Sequence, residues 1–63
     1  MTDAATIKHY MDGMQRSKDG SGVHQNMLAL YNKLRATGSD SIAMTTAQAA
    51  MRVAMAIQAR AAS

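Results

Sequence analysis

His9 and His24, with Asp3, Asp12, Asp19 and Asp40, are the side chains of this 63-residue sequence best suited to bind a metal or shuttle a proton near neutral pH. A zinc site needs such groups repeated at short spacing, and neither histidine has an acid or a second histidine four residues away. There is no Cys and no Glu. The four aspartates are spread over separate segments, where caps, turns and helix dipoles give the first three local uses. They form no carboxylate pair for acid–base work. "DGSG" at 19–22 lacks the repeated ligands and closing Glu of a calcium loop, and it lacks the G-x-x-x-x-G-K spacing of a phosphate loop. It reads as a flexible turn. Ser17, Ser21, Ser39, Ser41 and Ser63 fall in breaks or at the end, none in a nucleophile setting. The sequence therefore predicts no catalytic residue, no metal site, no cofactor site and no enzyme activity.

A second kind of chemistry is recognition of nucleic acid. Gln48 and Arg52 could read base edges while Lys33, Arg35 and Arg60 touch phosphates, if the segments around Gly38 formed a helix-turn-helix. Against that arrangement, the connection from Gly38 to Thr45 exceeds the usual three or four residues. The seven basic residues are scattered, and a net charge of +3 is a mild bias. A nucleic-acid role is the alternative reading.

These residues must be positioned by helices. Pro is absent, Gly is confined to Gly13, Gly20, Gly22 and Gly38, and strand signals are lacking. The punctuation predicts an all-α, small three-helix arrangement: a helical hairpin and a long Ala/Met-rich C-terminal helix, packed against a partner or another copy. The chain reads as one small helical domain over 1–63, with helices at about 3–16, 22–37 and 46–61. Breaks are expected from Ser17 to Gly22 and from Thr37 to Ser41.

In the first helix Asp3 can cap, and Ala4, Ile7, Met11 and Met14 share one side, widened by Tyr10. Gly13 inside that pattern marks either a frayed last turn or a backbone closely approached by another helix. In the second, Val23, Met27, Leu30 and Leu34 form the stripe, flanked by Leu28 and Tyr31, with Asn26, Lys33 and Thr37 toward the other side. Ser21 or Gly22 is expected to cap its start and Gly38 to end it in a left-handed conformation. Thr45 and Gln48 have capping-box spacing, so the third helix is expected to start there, with Ile42 to Met44 covering the bundle end.

On the third helix a polar strip carries Thr45, Gln48, Arg52 and Arg60, beside Ala49, Ala56 and Ala59. Opposite it, Ala47, Ala50, Ala54 and Ala61 make a smooth floor between an edge of Met44, Met51 and Met55 and an edge of Val53 and Ile57. This apolar arc spans roughly 200°, about twice what a helix covering only its own domain needs. Rows of alanine also admit a close helix neighbour. The candidate packing interface is therefore Ala47, Ala50, Met51, Val53, Ala54, Met55, Ile57 and Ala61.

Small domains bury little apolar surface, and this one has no disulfide, no Phe and no Trp, so it stands to gain from shared packing. The expected function is non-enzymatic protein–protein interaction, through a protein partner or as a homo-oligomer. The chain would be a structural or assembly subunit of a larger complex, such as a virion or filament, or an inhibitor docking on a larger protein. The opening "MTDAATIKHY" lacks the basic and apolar regions of a secretory signal, so the mature chain is expected to start here, in the cytoplasm or in an assembled particle. Arg52, Gln58 and Arg60 interrupt the C-terminal run, which predicts no transmembrane segment; a membrane-surface helix is the least favoured use of the wide apolar arc.

Overall fold

The computed structural model describes residues 3–17 and 19–62. Three helices account for nearly all of them: α1 (Asp3–Arg16), α2 (Gly20–Arg35) and α3 (Asp40–Ala62), each packed against the other two. The overall extents are 36 × 21 × 15 Å. The long dimension matches α3 itself, since 23 residues at 1.5 Å each give about 34 Å.

The first helix matches its expected span. α2 begins two residues earlier and ends two earlier than expected, because its N-cap is Asp19 and not Ser21 or Gly22. The Asp19 carboxylate accepts from Gly22 N at 2.8 Å, so the "DG" of the expected turn is the start of the helix. Gly38 does not adopt a left-handed conformation. No glycine among the described residues has positive φ, and α2 closes through Thr37 N donating to Leu34 O at 3.2 Å. Whether Asp3 caps α1 depends on a side chain outside the described residues.

The largest correction is the start of α3, at Asp40 instead of about residue 46. Ile42 to Met44 are helical, not a separate cover. Ile42 N donates to Ser39 Oγ at 3.5 Å and Ala43 N to Ser39 O at 2.9 Å, which makes Ser39 the point of entry. Thr45 therefore lies inside the helix, where its hydroxyl donates back to Ser41 O at 3.0 Å instead of capping. A capping-box spacing carries its meaning only where the chain stops being helical, and Ser39 supplies that stop first.

The core collects Met14 from α1, Val23, Met27 and Leu30 from α2, and Ala47, Ala50 and Ala54 from α3. Ile7, Tyr10, Met11, Tyr31, Leu34, Met44, Met51 and Met55 pack around it, half-buried. Ala4 is exposed, one turn too far from the core to share it.

The α1–α2 seam is built around two glycines. A Cβ on Gly13 would stand 2.5 Å from Asn26 Oδ1, and one on Gly22 would stand 2.9 Å from Ser17 Oγ. Asn26 donates to Gly22 O at 2.9 Å and Ser17 donates to Gly13 O at 2.9 Å. Gly13 of α1 is thus bare toward Asn26 of α2, and Gly22 of α2 toward Ser17 just past the end of α1, each polar side chain being itself tied to nearby backbone. Of the two readings of Gly13, close approach is the one realised. Asn26 is partly buried in the seam and not on the outer side where the stripe pattern alone placed it. The pairing of Gly13 with Asn26 and of Ser17 with Gly22 makes α1 and α2 antiparallel.

α3 returns alongside α1. Ile7 lines a cavity with Ile42, Ala43 and Thr46, while at the other end Gln58 Nε2 donates to Gln15 O at 3.3 Å and Ser17 O at 3.5 Å. The two helices therefore run in the same direction. Gln58 also serves the carbonyls that the end of α1 leaves without helical partners.

Candidate functional site

The 200° apolar arc of α3 divides into three. Ala47, Ala50 and Ala54 are buried in the chain's own core, together with Ala43, which sequence reading left out because it placed that residue ahead of the helix. Met51 and Met55 are half-buried against that core, as is Met44. The remaining edge is open: Val53 is 50% exposed, Ile57 45%, and Ile42, on the same side of the helix, 67%. Ala61 is also exposed. Of the eight positions expected to pack against a partner, three are thus covered by α1 and α2, and Val53 and Ile57 lead those facing outward.

The reason lies in size. Alanines toward α1 and α2 let three helix axes approach closely, and once they have closed, residues some 90° around the helix fall outside the contact. Ile42, Thr46, Ala49, Val53 and Ile57 follow one another at steps of four, three, four and four, along one line of the helix. Ile57 shares a shallow groove with Ala4, Ile7, Lys8, Met11, Asp12 and Gln15 of α1. Lys8 and Asp12 form an ion pair at 3.3 Å on its rim, with side chains 77% and 42% exposed.

The polar strip lies where the sequence placed it, with Thr45, Gln48, Arg52 and Arg60 exposed on α3. Lys33 and Arg35 are exposed on α2. Lys33 borders a groove with Ala5, Thr6, His9 and Tyr10. Arg35 is held at the α2–α3 connection, where its guanidinium lies 5.5 Å from the Tyr31 ring centroid and donates to the Tyr31 hydroxyl at 3.5 Å. Tyr31 in turn donates to the Asp40 carboxylate. The hydrogen bond to Tyr31, then the charges of Tyr31 and Asp40, hold the Arg35 guanidinium above its ordinary pKa. Residues 36–39 make a connection of four residues, so the length objection to a helix-turn-helix, which assumed a later start for α3, falls away.

The groups able to do chemistry are apart and locally engaged. Asp12 pairs with Lys8, Asp19 caps α2, and Asp40 accepts from Tyr31. His9 packs edge-on against Tyr10 with centroids 5.1 Å apart, and His24 is exposed on α2. Among the described residues no three His, Asp, Glu or Cys side chains gather closely enough to hold a metal ion, and no helix is long and apolar enough to cross a membrane. Two working residues escaped the sequence reading: Gln58, whose tie to α1 spans more than forty positions, and Asp40, whose partner Tyr31 is identifiable only once α3 is known to begin there. Comparison of the chain with known protein families, with characterised proteins and with solved structures returned no match.

Proposed function

We propose that this chain works by contact with other protein, as a non-enzymatic helical subunit of a larger assembly in the cytoplasm or in a particle assembled there. The observation that carries the reading is the outer line of α3, where Ile42, Val53 and Ile57 stay open to water while alanines of the same helix fill the core. Full burial of a Val or Ile side chain is worth roughly 1.5–3 kcal/mol, and these three, about half exposed, forgo on the order of half of that each, a sizeable share of the stability of so small a domain. A contact surface recovers that energy when the partner arrives. The local engagement of Asp12, Asp19 and Asp40 agrees with a subunit that performs no reaction. An inhibitor docking on a larger protein would use the same line in the same way.

The test is site-specific photo-crosslinking in the cells that produce the chain, with the reactive side chain at position 53 or, one residue away on the polar strip, at position 52. Discrete protein adducts at 53 and none at 52 are expected. Adducts at 52 only, or with nucleic acid only, sink the reading.

The four-residue α2–α3 connection favours a second reading, a helix-turn-helix that binds DNA. Its reading helix would present its N-terminal turns, which carry Asp40 and no basic residue before Arg52. Binding of that kind would be weak and steeply reduced by salt.

A further inference from the structure

We infer that the groove between α1 and α2 is a binding site for a small aromatic anion, whose negative group sits at Lys33 and whose ring lies in the corner made by His9 and Tyr10. The site is on the flank of α1 away from Ile57, so it goes beyond the reading of α3 as a protein contact surface and uses none of its residues.

The groove is lined by Ala5, Thr6, His9, Tyr10 and Lys33 and encloses about 400 Å³, inside the roughly 300–1,000 Å³ usual for small-molecule sites. The seam between the two helices assembles it. With Asn26 beside Gly13 and Ser17 beside Gly22, the antiparallel register carries Lys33 of α2 to the level of Thr6 of α1, and both line the groove. Tyr10 is half-buried and packed on the core, which fixes one wall. His9 stands exposed beside it, with the two ring centroids 5.1 Å apart and the planes at 83°. A flat ring laid in such a corner stacks on one wall and meets the other edge-on, the two arrangements that aromatic pairs favour.

The polar groups of the groove select the sign of the ligand. The Lys33 ammonium can only donate, and the Tyr10 hydroxyl and the ring N–H of His9 can each donate as well. Among the described residues no carboxylate lines the groove. The α1–α3 groove differs, because Lys8 there is already matched by Asp12 at 3.3 Å, and the cavity lined by Ile7 and Ile42 holds no charged side chain. A cation without an acid, set beside two flat rings, fits a molecule that joins a negative group to an aromatic ring, such as an aryl phosphate or an aryl carboxylate.

The experiment uses the full chain, labelled with nitrogen-15, and follows its backbone amide shifts at constant low ionic strength. The probe is phenyl phosphate, with inorganic phosphate and phenol as its two halves. Phenyl phosphate should bind saturably with a Kd of about 1–5 mM, the affinity that a ligand of about a dozen non-hydrogen atoms reaches at ordinary efficiency. The shifts should centre on Ala5 to Tyr10 and on Lys33, and each half should bind about fivefold more weakly or less well still. Lys33→Gln should raise the Kd about threefold or more, whereas Arg16→Gln removes the same charge about 15 Å further along α1 and should change it by less than about 1.5-fold. His9→Leu should cut the advantage of phenyl phosphate over inorganic phosphate about twofold or more. All three positions are exposed, so each variant should keep its helical circular dichroism. Absence of saturation by about 30 mM phenyl phosphate overturns the proposal. So does either half binding as tightly as the whole, or a Lys33→Gln effect no larger than that of Arg16→Gln, which would mean that net charge alone gathers the anion.

Discussion

α2 and α3 bury opposite kinds of residue. α2 turns Val23, Met27 and Leu30 inward, whereas α3 turns Ala43, Ala47, Ala50 and Ala54 inward and leaves Ile42, Val53 and Ile57 in water. For α2, burial of bulk is the gain. For α3 the gain is proximity: methyl-sized contacts allow a close approach, and the bulk kept on the outside is free for a different contact. A 63-residue chain without Phe or Trp can close three helices only if one of them is thin on its inner face.

The contrast is broken most severely from the α2 side. Leu30 is fully buried, and Leu30→Ala should cost about 2–5 kcal/mol, read as a lower urea midpoint with an unchanged slope. For α3 the damaging change runs in the other direction. Ala54→Leu adds volume at a fully buried position and should cost about 1–3 kcal/mol by overpacking. If Ala54→Leu stabilises the monomer, the account of α3 as a helix kept thin for close packing is wrong.

The glycines sharpen the point at the α1–α2 seam. Alanine within a helix is better than glycine by about 1 kcal/mol, but at Gly13 it must push Asn26 away from its bond to Gly22 O, which should consume that gain or more. Gly20 meets nothing within 4 Å, and Gly20→Ala should stabilise by about 0.4–1 kcal/mol. Thermal melts of the two variants side by side give the comparison, and equal gains would remove the seam. The smallest effect belongs to the outer line. Val53→Gln should change stability by about 0.5 kcal/mol or less in a chain dilute enough to be monomeric. A larger loss there would mean that Val53 belongs to the core.

Element number and type were legible because helix period and glycine punctuation are local properties. The stripe Val23, Met27, Leu30 is the core face of α2, and the strip Thr45, Gln48, Arg52, Arg60 is the wet side of α3. What could not be read depended on partners distant in sequence. Ala47 and Val53 look alike to a helical projection, and only the positions of α1 and α2 decide which is covered. Asn26 looks like a surface residue until Gly13 is opposite it. The start of α3 was missed because Thr45 and Gln48 imitate a cap, while the cap formed earlier at Ser39, where the chain leaves the turn that Tyr31 and Asp40 hold.

The methionines of the core carry one more consequence, for oxidation. Met14 is fully buried and Met27 nearly so, while Met11, Met44, Met51 and Met55 are half-buried around them. Conversion to the sulfoxide requires access to sulfur and replaces an apolar thioether with a bulky dipole. Peroxide should therefore mark the outer four while the helices stay closed, and reach Met14 only in molecules that have opened. Once Met14 carries that oxygen, α1 can no longer seat its one fully buried apolar side chain in the shared core. The order in which sulfoxides accumulate thus records how often the three helices separate, and oxidation of the buried pair favours the separated state until the sulfoxides are reduced.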